Sequence, residues 1–97
     1  MAEPLTLEQA KAQLRVLDED EDDLIGAAIV DARGWIENYT GRSFAEIVGD
    51  DEVPPVLLRA MRLLVAGFYG DRETGGLAGD VEVSARRLCG RFKVRKL

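Results

Sequence analysis

Six consecutive acids, Asp18, Glu19, Asp20, Glu21, Asp22 and Asp23, form the densest array of metal-ligand side chains in the sequence. Carboxylates packed this closely raise calcium first. An EF-hand loop needs oxygen ligands at its first, third and fifth positions, Gly at the sixth and a bidentate Glu at the twelfth. Started at Asp18, the run supplies Asp20 and Asp22 but puts Asp23 where the turn-making Gly belongs and Ile29 where the Glu belongs. No metal site is expected there.

Nucleophilic chemistry fares no better. The chain has no histidine, so Ser43, Ser84 and Cys89 have no imidazole base, and a lone cysteine can form neither an internal disulfide nor a zinc finger. Cys89, between Leu88 and Gly90, reads as a small buried hydrophobe. The sequence therefore implies no catalytic residues, no cofactor and no enzyme.

Two readings of the acids remain, a repelling tail or a helix start. Leu24, Ile25, Ala28, Ile29, Ala32, Ile36 and Tyr39 follow at helical spacing, which a tail would not do. Carboxylates in a first helical turn face unpaired N–H groups and contribute about 0.3–1 kcal/mol each when exposed. Asp20 or Asp22 suits the N-cap, and Gly41 after Thr40 suits the stop. Six acids exceed what one helix start needs. The surplus points to a surface with an electrostatic task.

The net charge of −5 conceals a division along the chain. Met1 to Pro54 holds fourteen acids and four bases, a net of −10, whereas Pro55 to Leu97 holds four acids and nine bases, a net of +5. The closing RRLCGRFKVRKL carries Arg86, Arg87, Arg91, Lys93, Arg95 and Lys96 without an acid, with Phe92 among them. Such polarity suits head-to-tail association of identical subunits at least as well as nucleic-acid binding.

The elements that must carry these charges are helices. Thr6 and Gln9 form a capping box, opening a helix with Leu7, Ala10 and Leu14 on one face, about residues 7–16. A second runs over about 22–40. From Gly41 to Val53 the chain offers a connection with room for one brief strand or turn. Pro54 and Pro55 then set the first turn of a third helix, about 55–72, the most apolar part of the sequence. Its Leu57, Met61, Leu64, Phe68 and Tyr69, with Trp35 of the second helix, are the residues expected to pack a core or a neighbouring subunit. A short helix over about 83–89 and a basic tail over 90–97 complete a single all-α domain, a small bundle of three main helices. No apolar run approaches the roughly 20 residues that span a bilayer, and MAEPLTLEQ lacks the features of a secretory leader, so synthesis in the cytoplasm is expected.

The order of these pieces resembles a known family. LTLEQAKAQLRV, the apolar helix ending in ENYTGRSF, VPPVLLRAMRLLVAGFYGDRE and VSARRLCGR are similar, in sequence and spacing, to the head-tail connector (adaptor, DNA-packaging) proteins of long-tailed phages and gene transfer agents. The resemblance spans nearly the whole chain and rests on helix caps and packing. It implies a structural subunit of a ring, often of about a dozen copies, docked under the portal in the virion after assembly in the host cytoplasm. Such a ring lengthens the DNA channel without sequence-specific binding and meets a tail or stopper protein. Two departures stand out: the segment between the second and third helices is short where many relatives carry a hairpin, and Gly90 replaces a common proline.

Under this reading Asp18 to Asp23 form either a negative rim that keeps phosphates from sticking or one half of a contact between neighbours. Arg86, Arg87, Arg91, Phe92, Lys93, Arg95 and Lys96 form a portal-docking tail. A small helical DNA-binding or regulatory protein is the alternative, but the third helix is too apolar and the second too acidic to enter a major groove. Removing Phe92 to Leu97 is expected to abolish portal attachment, read by co-sedimentation with portal rings, and to leave the helical core folded.

Overall fold

Thr6 opens the first helix by reciprocal capping, its Oγ1 accepting the Gln9 N–H at 3.1 Å while Gln9 Oε1 accepts the Thr6 N–H at 3.0 Å. This helix, α1, spans Leu7–Leu14 in a computed structural model that describes residues 4–49, 52–70 and 77–94. It stops earlier than its apolar pattern suggests, because Arg15 takes the left-handed conformation at φ 59° and turns its N–H back to Ala12 and Lys11.

The second helix, α2, covers Asp22–Thr40, and its start differs from the sequence expectation. Neither Asp20 nor Asp22 caps it. Asp18 Oδ1 instead accepts the Asp20 N–H at 3.2 Å, shaping the approach as an Asx-type turn, and Glu21 takes the cap position without its side chain capping the helix. At the other end Gly41 behaves as expected: at φ 74° it donates its N–H to the Glu37 carbonyl at 2.9 Å and ends the helix.

The connection after Gly41 holds a helix where only a strand or turn had room in the sequence reading. A five-residue helix, α3, spans Phe44–Val48 behind the Ser43 cap, whose Oγ accepts the Glu46 N–H at 3.2 Å. Ser43 to Glu46 has the S-x-x-E spacing of a helix start, the signal that would have revealed it. Next comes α4, Pro55–Gly70, with both the Leu57 and Leu58 N–H groups on the Pro54 carbonyl. Asp71 and Arg72, expected to extend it, lie outside the described residues. The last helix, α5, runs Gly79–Cys89, beginning four residues before Val83, and passes into a 3-10 turn at Gly90–Phe92. Among the described residues there is no strand, and the chain is an all-α bundle.

α4 sits at the centre because its apolar side chains need cover on several sides. Leu57, Ala60, Met61, Leu64 and Val65 are fully buried, and α1, α2 and α5 all pack on this helix. Against them lie Ile25, Ala28, Ile29, Ala32 and Ile36 of α2, Ala85 and Cys89 of α5, and Ala10 of α1. Burying each large aliphatic side chain contributes about 1.5–3 kcal/mol, so this seam dominates the stability.

One glycine sets how closely α5 approaches. A Cβ on Gly67 would fall 2.9 Å from Leu77 Cδ2 and 3.0 Å from Val81 Cγ1. Val81 is stiff at χ1 and cannot swing aside, so a large residue at 67 must push α5 outward. Gly67→Leu should lower stability by about 1–3 kcal/mol in urea unfolding and increase amide exchange through α5 before α2.

Candidate functional site

The six acids do not act as one unit. Asp22 turns toward α1 and pairs with Lys11 Nζ at 2.7 Å, both side chains being largely covered. That hydrogen bond, with Coulombic help from Asp22, Glu19 and Asp18, raises the Lys11 pKa above its ordinary value. A raised lysine keeps its charge throughout the neutral range, so on the alkaline side the clamp between α1 and α2 holds until the pH rises through the raised Lys11 value and removes its proton. Asp22 is thus spent inside the fold, and Glu21 is half-buried. Asp18, Glu19, Asp20 and Asp23 remain exposed at the corner between α1 and α2. Leu17, beside them, is 98% exposed.

The basic end is divided as well. Arg86 on α5 pairs with Glu82 one turn earlier, while Arg87 and Arg91 project into solvent. Phe92 is half-buried and packs on the core instead of standing free to stack on a base. Lys93 places Nζ 4.8 Å from the centroid of the Tyr39 ring, and Tyr39 stacks on Trp35 at 5.2 Å between centroids. The Val94 N–H then reaches the Thr40 carbonyl at 2.8 Å. Residues 90–94, expected as tail, therefore lie along the end of α2. Arg95 and Lys96 lie outside the described residues.

The segment ENYTGRSF turns out to be the anchor for this arrangement. Thr40, fully enclosed, donates from Oγ1 to the Ile36 carbonyl at 2.8 Å, and Glu37 Oε2 accepts the Phe44 N–H at 2.8 Å. Phe44, a residue the sequence reading did not single out, plugs the core at 1% exposure. One corner thus ends α2, starts α3 and receives the chain end.

Of the packing residues, Leu57, Met61 and Leu64 are wholly enclosed by their own chain, whereas Trp35, Phe68 and Tyr69 are partly covered. The first three cannot meet a partner. Burial pushes the Cys89 thiol up to about 11, so it stays protonated and unreactive at neutral pH. Among the described residues no cluster of three or more acids, cysteines or histidines is disposed to hold a metal ion, and no helix is long and apolar enough to cross a membrane.

A family model described as phage gp6-like head-tail connector protein matches residues 4–87, which takes in all five helices almost completely. No curated protein and no solved structure matches the chain. The matched stretch contains the ENYTGRSF corner and ends before the 3-10 turn and the strap formed by Lys93 and Val94.

The corner yields a direct test. Glu37→Ala removes the acceptor for the Phe44 N–H and should cost about 1–2 kcal/mol in thermal or urea unfolding, while Glu37→Gln, which keeps an acceptor, should recover most of that loss.

Proposed function

The chain belongs to the phage gp6-like head-tail connector family, and on that premise we propose that it is one subunit of a ring docked beneath the portal. The ring extends the DNA channel and offers the tail or stopper protein a platform. The particle is a phage, a prophage product or a gene transfer agent. The observation that carries this reading is the family match across residues 4–87, which spans nearly the whole folded body.

The site chemistry agrees with a structural duty. What the described surface offers is charge and apolar area: an acidic corner at Asp18 to Asp20 and Asp23, and a basic end on and after α5. DNA passing through such a ring meets backbone-level electrostatics and no base-reading helix.

Portal attachment falls to the chain end, through Lys93, Arg95 and Lys96. Because Phe92 packs on the core and the Val94 N–H is bonded to the Thr40 carbonyl, deletion from Phe92 onward would disturb the core as well as docking. The informative truncation removes Arg95 to Leu97 only. Purified chain mixed with tail-less heads carrying a portal should co-sediment with them, and the truncated chain should lose at least tenfold in attachment while keeping its unfolding midpoint. Parent chain that never binds portal-bearing heads would overturn the connector reading; a truncated chain that binds as well as the parent would remove the portal role from the chain end.

A further inference from the structure

The solvent stripe of α2 is unusual for an outward helix face. Asp23, Ala27, Val30, Asp31 and Gly34 follow at three- and four-residue spacing and are all exposed, Val30 at 50%. Gly34 stands in the middle of a helix, where glycine is less favourable than alanine, yet a Cβ there would meet nothing within 4 Å. The chain's own packing does not call for a glycine at that point. The stripe continues, through Leu24 at 45% exposure, into the corner where Leu17 is fully exposed.

A second face is its opposite in charge. On α5, Asp80, Val83, Arg87 and, one turn further, Arg91 point to solvent, with Val83 46% exposed. Among the described residues neither Arg87 nor Arg91 has an ion-pair partner, and neither do Asp23 and Asp31. Both helices turn their buried sides onto α4, and the residues of the two outward faces stay exposed in the single chain. A rim that merely repels phosphates would need only the charges, whereas these faces also expose Leu17, Leu24, Val30 and Val83.

We infer that the outer stripe of α2 receives the outer face of α5 from a second copy of this chain, Val83 seating against Val30 and the small Ala27 and Gly34, and Arg87 and Arg91 meeting Asp31 and Asp23. This deepens the connector reading and rests on it for the purpose of the contact. The interface joins two different surfaces, so each copy keeps one of each free and the series can continue until it closes as a ring. Charge complementarity fixes register and direction. It also assigns Arg87 and Arg91 to the neighbouring subunit and leaves the portal to the residues after Phe92.

The test uses the full chain, concentrated alone and assembled on portal-bearing heads. Val30→Cys/Val83→Cys chain, oxidised, should give a ladder of covalent oligomers, whereas each chain with only one of the two substitutions should remain monomeric on a denaturing gel, as should the parent with its buried Cys89. Asp31→Arg and Arg87→Asp should each weaken self-association at least tenfold by sedimentation, and the two together should restore it, since every interface then holds the swapped pair. Dimers from Val30→Cys alone would show a symmetric contact and overturn the inference, as would single charge variants that assemble like the parent or a double variant that does not recover. Chain that loads onto heads without the ladder refutes this contact and leaves the connector reading standing; a ladder from chain that never joins a head does the reverse.

Discussion

Everything in this fold depends on covering α4. A helix with Leu57, Ala60, Met61, Leu64 and Val65 all removed from water cannot be enclosed by a single neighbour, because these side chains occupy more than one stripe of its circumference. α2 supplies an aliphatic wall of Ile25, Ile29 and Ile36 spaced by Ala28 and Ala32, which lets the two helices lie close. α5 supplies far less apolar surface, Ala85 and Cys89 at its buried centre, and compensates by near contact at Gly67. The requirement of α4 thus fixes the inward sides of both flanking helices, and by subtraction it decides which residues they present to the outside.

Much of this was legible in the sequence, for reasons that lie in particular residues. The capping box at Thr6 and Gln9, the proline start before α4 and the Gly41 stop are local signals whose physics does not depend on the rest of the fold. What escaped was set by contacts between distant parts of the chain. Asp22 reads as a helix-start acid like its neighbours, and only the folding of α1 against α2 turns it toward Lys11. Phe92 and Val94 read as tail because nothing local says that Thr40 presents its carbonyl and Tyr39 its ring at the place where the chain end arrives. α3 was missed for a different reason: the short, acidic stretch from Gly41 to Val53 reads as a connection with room for one brief strand or turn, and the S-x-x-E start at Ser43 was not recognised, although Phe44 behind it is a core residue.

The ENYTGRSF corner shows what a sequence motif with no catalytic group can do for a fold. Glu37, Thr40, Gly41, Ser43 and Phe44 each satisfy a backbone or packing need that would otherwise be unmet, at the end of α2 and the start of α3. Buried main-chain groups left without partners cost about 1–3 kcal/mol each, a large part of the total stability of a domain this size. The motif is a joint, and the angle it sets between α2 and the following chain also determines where Lys93 and Val94 can settle.

Surface charge in a subunit built for assembly has to be tolerated before the partner arrives. Four exposed acids at one corner repel one another, as do arginines along one helix face, and either group in a neutral stretch of chain would weaken the isolated fold. A helix end offsets part of each cluster: Asp23, with the paired Asp22, sits in the first turn of α2 beside its unpaired N–H groups, and Arg86 and Arg87 sit in the last turn of α5, at the negative end of its dipole. Lys11 quenches one acid from α1, and Glu82 quenches one arginine from within α5. On the two faces proposed above as a subunit contact, the unpaired charges among the described residues are Asp23 and Asp31 on one and Arg87 and Arg91 on the other; in the proposed ring these would choose the partner and its orientation.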